Sequence, residues 1–433
     1  MDELPSILGG RPSLDRSRIE KWPRPVGTRT IKKINRILEA GKFAMGKETE
    51  NFEKDFANYC GAKFSILVTS GSEALSQALH ALTISKGDEV IIPALGFISN
   101  LSTVLISGAK PILADIDPQT SNISPKSVKK LITKKTKAIV LIAYGGTPYD
   151  IDEFCQLIEG REIYLIEDAS HAHGGEIRGR KIGTYGHIGC FSFDQNKLMT
   201  SGQGGAIVTN NEKVFEDLKM RRNFGLDRKN SIPQWLYFPV ISSNCKPTDI
   251  MALMLSEQLH RLENDIKIRK DNFDKLTENL CSIPGLKGIS PGNFSHRESH
   301  YLMRFDFNSS HWNELPRDLL IKAMLEEGIP IGPGWAPLYY RFNEFGKGAN
   351  MESLNQWEKK LPNASKFSRR ALVLPNELLL SSDSVIDGTI RAFEKVFNLS
   401  KKIKKTFPDF STDIMKNQQN SSLKIGLEWL SGN

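Results

Sequence analysis

Residues 162–209, EIYLIEDASHAHGGEIRGRKIGTYGHIGCFSFDQNKLMTSGQGGAIVT, decide how this chain folds. Three apolar runs lie inside them, at 162–168 (EIYLIED), 188–193 (IGCFSF) and 205–209 (GAIVT). Each is short and nearly continuously apolar, the pattern of a strand covered on both faces. Four similar runs precede them, at 64–69 (FSILVT), 89–93 (EVIIP), 111–115 (PILAD) and 137–144 (KAIVLIAY). Helical patterns at 72–83 (SEALSQALHALT) and 98–107 (ISNLSTVLIS) separate several of them. That alternation predicts an α/β domain over roughly 50–240 with a largely parallel sheet, whose ligands sit at the carboxyl ends of the strands.

Working outward, residues 28–41 (TRTIKKINRILEAG) place Ile31, Ile34, Ile37 and Leu38 at helical spacing and end on Gly41, a C-cap signal. An amphipathic helix is therefore expected to open the ordered region, after an arm at 1–27. Beyond the α/β domain, residues 250–276 read as a long charged helix leading out of it. A strand candidate at 301 (YLMRFDF) and helices at 316 and 383 then predict a smaller α+β domain. The expected division is an arm at 1–27, a large domain at 28–250, the long helix and small domain at 251–399, and a polar extension at 400–433.

Composition narrows the function classes. The chain has 433 residues, 39% hydrophobic and 25% charged, which excludes collagen-like, disordered and disulfide-scaffold readings. Its net charge of +8 is modest for this length, and the one basic run, KKIKK at 401–405, reads as a solvated helical surface; no nucleic-acid partner is expected. Cys60, Cys155, Cys190, Cys245 and Cys281 are widely spaced and odd in number, without a C-x-x-C or zinc spacing. No window approaches a membrane span and the N-terminus lacks an apolar leader core, so the expected setting is the cytoplasm, with no structural metal and no membrane partner.

Two phosphate-loop templates fail. GKFAMGKE at 41–48 carries Glu48 where a hydroxyl must hold magnesium, and SGQGGAI at 201–207 leads into a strand rather than out of one. A better anion site is the turn at Ser70, Gly71 and Ser72, where free N–H groups open a helix after a strand, although a serine there also serves as an N-cap. Asp168 ends a buried strand, where a carboxylate needs a cation or donors, and either caps the next turn or faces a protonated heterocycle. Lys197 lies between an apolar strand and a Gly-rich turn at the same predicted edge. A lysine for a Schiff base, an aspartate for a pyridinium nitrogen and a helix N-terminus for a phosphate together match what pyridoxal phosphate requires.

The runs VTSGSEAL, GDEVIIPALGFIS, GAKPILADIDPQT, TKAIVLIAYGGTPYDID, IEDASHAHGG, GRKIGTYGHIGCFSF-x-x-x-K and SGQGGAIVTNN resemble the DegT/DnrJ/EryC1/StrS sugar aminotransferases, which are fold-type I pyridoxal phosphate enzymes. The likeness covers roughly 25–400. It implies a mostly parallel seven-stranded sheet in a large domain, a smaller C-terminal α+β domain, and a homodimer with active sites at the interface. By the same resemblance, Lys197 corresponds to the cofactor-binding lysine and Asp168 to the partner of the ring nitrogen. Phe97 corresponds to an aromatic stacked on the cofactor, and His171 to a Gln or His near its ring. Gly71, Ser72 and Glu73 correspond to the phosphate cup, Ser192 adds a hydroxyl, and Asn244 matches an Asn that reaches the neighbouring subunit's phosphate. There the pattern departs: the family's N-x-R-M-x-E is NCKPTD, with Lys246, Pro247 and Asp249.

The N-terminal LGGRP, the EDASHAHG run and GPGWAPLYYRF at 332–342 look most like the branch of scyllo-inosose aminotransferases and aminohydroxybenzoate synthase. That implies transfer of an amino group from L-glutamine or L-glutamate to a nucleotide-linked keto-sugar or a ketocyclitol. Two rivals are a sugar dehydratase of the same family and a non-catalytic relative of the fold. The dehydratases carry histidine at the Schiff-base position, where this chain has Lys197.

Overall fold

A computed structural model describes residues 4–227, 237–289, 291, 294–338, 351–408 and 410. Seven strands form the large sheet: β1 (Phe64–Val68), β2 (Glu89–Pro93), β3 (Lys110–Ala114), β4 (Thr136–Ile142), β5 (Tyr164–Asp168), β6 (Ile188–Ser192) and β7 (Gly205–Thr209). Their order is β1-β7-β6-β5-β4-β2-β3. Neighbours from β6 to β3 are parallel, whereas β7 runs antiparallel between β1 and β6. The carboxyl ends of β1, β4, β5 and β6 consequently share one edge, and the start of β7 returns to it.

Both faces are covered, as the continuous apolar strands require. Along β1, Ile66 and Val68 face a core shared with helices α3 (Gly71–Ala81), α4 (Ile98–Ile106) and α7 (Glu212–Arg222), with α5 (Pro125–Leu131) and α6 (Ile151–Ile158) elsewhere around the sheet. Leu67 points the other way, into a core with Phe52 and Phe56 of α2 (Lys47–Cys60) and Leu255, Leu262 and Ile266 of α8 (Asp249–Leu280). Phe52 and Phe56 are stacked at 5.5 Å and fully buried, each contributing about 2–3 kcal/mol of burial.

Helix α8 spans about 48 Å at the standard rise and joins two cores. Its Leu276 and Leu280 lie in a second core beneath a four-stranded sheet of β8 (Leu286–Gly288), β9 (Leu302–Phe307), β10 (Gly332–Pro333) and β11 (Ala371–Pro375), ordered β8-β9-β11-β10. Helices α9 (Arg317–Glu326), α10 (Met351–Lys360), α11 (Pro362–Arg370), α12 (Asn376–Leu379), α13 (Asp383–Asn398) and α14 (Ser400–Thr406) complete this part. The basic run lies on α14, whose Ile403 is buried while Lys401, Lys402 and Lys405 are exposed.

The expectation that the first helix opens the ordered region is corrected. Helix α1 (Thr28–Ala40) forms and is capped by Gly41 at φ +65°, but Ile31 and Leu38 of its apolar stripe are 46% and 52% exposed. Order begins earlier, because Ile7 and Leu14 insert into the second core. Fully buried Glu327 fastens this arm, accepting hydrogen bonds from Ser6 N (2.6 Å), Ser13 N (2.8 Å) and Ser13 Oγ (2.6 Å) while pairing with Lys395 (3.0 Å). Two isolated apolar anchors carry no periodicity, so nothing local in the sequence announces them.

Candidate active site

A cavity of about 570 Å³ opens at the shared strand edge and is also walled by β10, β11 and the start of β9. Seven of the nine residues singled out from sequence enter or border it: Gly71, Ser72, Phe97, Asp168, His171, Ser192 and Lys197. They come from β5, β6, the starts of α3 and α4, and the turns after β5 and β6, and the sheet topology brings them together.

Asp168 ends β5 and is buried. Its Oδ1 accepts from Ser170 N at 3.1 Å, an Asx turn, and its Oδ2 accepts from Asn100 Nδ2 at 2.7 Å. It thus has the capping role weighed from sequence and still faces the cavity. Lys197 lines the same cavity, half-buried, its Nζ 5.0 Å from the centre of the Tyr301 ring and without a hydrogen-bond partner among the described residues. Burial pushes its amine down to about 8, with Asp168 and Asp194 pulling the other way.

At the start of α3, Ser70 Oγ caps Glu73 N at 3.0 Å, so the N-cap reading holds. Gly71 and Ser72 occupy the first two helical positions, whose N–H groups have no intrahelical acceptor. Glycine is needed at 71 because a Cβ there would lie 2.6 Å from Ser192 Cβ, where β6 closes on the helix. Glu73 departs from the cup: its carboxylate turns away from the cavity to Gln77 (2.5 Å) and Cys245 (2.8 Å).

His171 is buried among aromatic rings, 4.4 Å from Tyr301 and 4.9 Å from Trp335. Its Nδ1 accepts from Gly145 N at 3.2 Å, and burial together with nearby Lys197 and Arg304 holds it well below the usual histidine range, hence neutral. Phe97 stands at the N-cap position of α4, lies 5.9 Å from Trp335 and remains 48% exposed. Asn244 stands outside the cavity on an exposed segment bridged to Asn223. In the departing motif, Lys246 stacks on Phe224, and buried Asp249 binds Gly46 N, Thr49 N and Thr49 Oγ1, fastening the start of α2.

The sequence reading missed Asn100, Tyr301, Trp335 and Asn376, all in or beside the site. Asn100 could have been found, three residues after Phe97 on the buried side of one helical turn. Trp335 was visible in GPGW only as part of a branch likeness, whose residues 339–342 lie outside the described ones.

The donor set fits a phosphorylated pyridine aldehyde: an acid, an amine of depressed basicity and a helix N-terminus line one cavity. Residues 26–389 match the model of the DegT/DnrJ/EryC1/StrS aminotransferase family. The chain belongs to that family. The enzyme is 33% identical to a putative L-glutamine:3-amino-2,3-dideoxy-scyllo-inosose aminotransferase from Micromonospora echinospora, over 76% of this chain and 79% of the relative. It is 30% identical to a 3-amino-5-hydroxybenzoate synthase from Amycolatopsis mediterranei, over 82% and 91% of the two chains. The crystal structure of a 3-amino-5-hydroxybenzoic acid synthase superposes with a TM-score of 0.78 at 29% identity, over 87% of this aminotransferase and 98% of that chain.

Proposed function

We propose that this aminotransferase uses pyridoxal phosphate to move an amino group from L-glutamine or L-glutamate to a nucleotide-linked keto-sugar or a ketocyclitol. The observation that carries the reading is the convergence of Asp168, Lys197 and the α3 N-terminus in one cavity. The relatives named for L-glutamine and scyllo-inosose support the donor and acceptor classes.

Gly71 N, Ser72 N, Ser72 Oγ and Ser192 Oγ would hold the phosphate, with the helix dipole favouring the anion. Asp168, oriented by Asn100 and Ser170, would keep the ring nitrogen protonated. Phe97 and His171 would flank the ring. Bound there, the cofactor supplies an electron-withdrawing ring and a carbonyl that takes up and returns the amino group. Lys197 would do the proton work: an amine near pKa 8 is largely available as a base in mildly alkaline solution, so it can take the proton from the donor α-carbon and return it to the cofactor's C4′ carbon, on the other side of the shared nitrogen. The retained Lys197 disfavours the dehydratase reading.

The working form in this reading is a homodimer with shared sites, in the cytoplasm. Exposed apolar side chains support the pairing: Ile31, Leu38 and Phe43 around α1, and Phe97 at the cavity mouth. Asn244 lies exposed rather than in its own chain's cavity, which suits a contact to the neighbouring subunit's phosphate. No helix among the described residues is long and apolar enough to cross a membrane.

The test is the visible spectrum of the purified protein with pyridoxal phosphate, before and after L-glutamine or L-glutamate. A cofactor band that bleaches with one donor supports the reading and names that donor. A protein that binds no cofactor, or a band unmoved by both donors, overturns it.

A further inference from the structure

The second sheet reaches under the active site through residues 298–304, and one side chain there has no place in the mechanism above. Arg304, on β9, is 3% exposed. Among the described residues its hydrogen bonds go to neutral oxygens on the large-sheet side: Thr120 O (3.4 Å), Ser121 Oγ and Thr147 Oγ1. Its guanidinium carbon lies 4.8 Å over the Tyr144 ring. The carboxylate that pulls on it is Glu298, which is held by Thr147 Oγ1 (2.8 Å) and makes no direct hydrogen bond to the guanidinium among the described residues. A buried cation paired only through an intermediary is costly, so such a side chain is expected to hold something in place.

Its neighbours identify what. Gly145 and Gly146 follow Tyr144 with φ of +67° and +91°, in the left-handed region. A Cβ at 145 would lie 2.5 Å from Arg304 Nε, and one at 146 would strike Ser299 Oγ. The two glycines let Arg304 and Ser299 press against this turn. Gly145 N donates to His171 Nδ1, and Ser299 Oγ donates to His171 O at 2.6 Å. Tyr144, beneath the guanidinium, accepts from Trp335 N at 3.1 Å, and its ring lies 6.0 Å from His171.

We propose that Arg304 is a positioning residue for His171: through Tyr144 and the Gly145–Gly146 turn it keeps the imidazole neutral with Nδ1 as acceptor and the hydrogen on Nε2, and so couples the second sheet to the site. The groups facing His171 are Lys197, Arg304 and His173, with the rings of Tyr144, Tyr301 and Trp335. Both full cations oppose a third charge, in the same direction as burial. The inference extends the aminotransferase reading, which gives His171 a task at the cofactor ring, but its geometry stands without cofactor.

The experiment is nitrogen NMR of the apo protein labelled at histidine, with the His171 signal assigned by its loss in His171→Gln. Wild-type His171 is expected to show a bare Nδ1 and a hydrogen-bearing Nε2, and to stay neutral well below the usual histidine range. Arg304→Met removes the charge and the fork, and the His171 midpoint should rise by about one pH unit, a tenfold gain in the protonated fraction. Ser121→Ala removes one hydrogen-bond partner of Arg304 while keeping the charge. It should mix the two neutral forms without raising the midpoint, and it serves if Arg304→Met does not fold. With pyridoxal phosphate added, the pH midpoint of the cofactor band should move in Arg304→Met as well. His171 shifts and titration identical to wild type in these variants would overturn the proposal. A protein that keeps the histidine behaviour but binds no cofactor would instead sink the aminotransferase reading.

Discussion

Replacing Lys197 should abolish turnover and, in the cofactor-free protein, make the fold more stable. Its amine is depressed from 10.5 to about 8, mainly by burial, and carries no hydrogen bond among the described residues. Such a shift corresponds to about 3 kcal/mol of penalty on the charged form, partly offset by about 1 kcal/mol from the Tyr301 ring face. Below pH 8 the lysine is charged in both the folded and unfolded chains, so the folded state bears the penalty in full. Between about 8 and 10.5 the folded protein has released the proton and the unfolded chain still holds it, so wild-type stability rises with pH across that window. Lys197→Met lacks the proton altogether. Urea denaturation of the apo proteins should find Lys197→Met more stable by about 2 kcal/mol at pH 7, with the difference closing as the pH nears 10.5. Equal stabilities at every pH, or a wild type more stable at pH 7, would refute the assignment of a desolvated, unpaired amine.

Three further outcomes follow from the geometry. Asp168→Ala should lower turnover by roughly 10²–10³-fold, and Asn100→Ala, which strips a buried acceptor of its 2.7 Å donor, should weaken pyridoxal phosphate binding about tenfold in a fluorescence titration. Gly71→Ala forces a Cβ against Ser192 and should cost about 1–3 kcal/mol of stability together with phosphate-dependent cofactor affinity, so that binding of unphosphorylated pyridoxal changes less. Glu327→Ala takes the carboxylate away from partly buried Lys395, which keeps Arg11 O at 2.6 Å, and frees the arm at Ser6 and Ser13. A loss of about 3–5 kcal/mol by denaturation and faster proteolysis near residue 13 are expected, and an unchanged cleavage rate would contradict the anchoring role.

The large sheet was legible because its seven strands are short apolar runs separated by helical or turn signals, and both patterns are local. The functional edge followed from the same reading: ligands of a largely parallel sheet sit at the carboxyl ends of its strands, so an acid closing 162–168 and a lysine after 188–193 were both expected at that edge. Serine and glycine at 70–72 were readable for a similar reason, since a helix beginning after a strand leaves its first N–H groups free whatever surrounds it. Residue chemistry in sequence order was enough to place Asp168, Lys197 and the α3 turn on one rim, and enough to suggest the cofactor class.

What the order of residues did not carry was anything set by approach from a distant part of the chain. Glu73 has the right neighbours for a phosphate cup, yet Gln77 and Cys245 draw its carboxylate away, and Cys245 lies 172 positions along the chain. Asn100 meets Asp168 across 68 positions, and Arg304 meets Thr147 and Ser121 across 157 and 183. Ile7 and Leu14 fill a core whose other buried members begin beyond residue 270. Propensity, periodicity and capping act within a few residues and can be read from a string. The neutral state of His171, the depressed basicity of Lys197 and the docking of the arm depend on desolvation and on charges delivered by remote segments, and those exist only after the chain has packed.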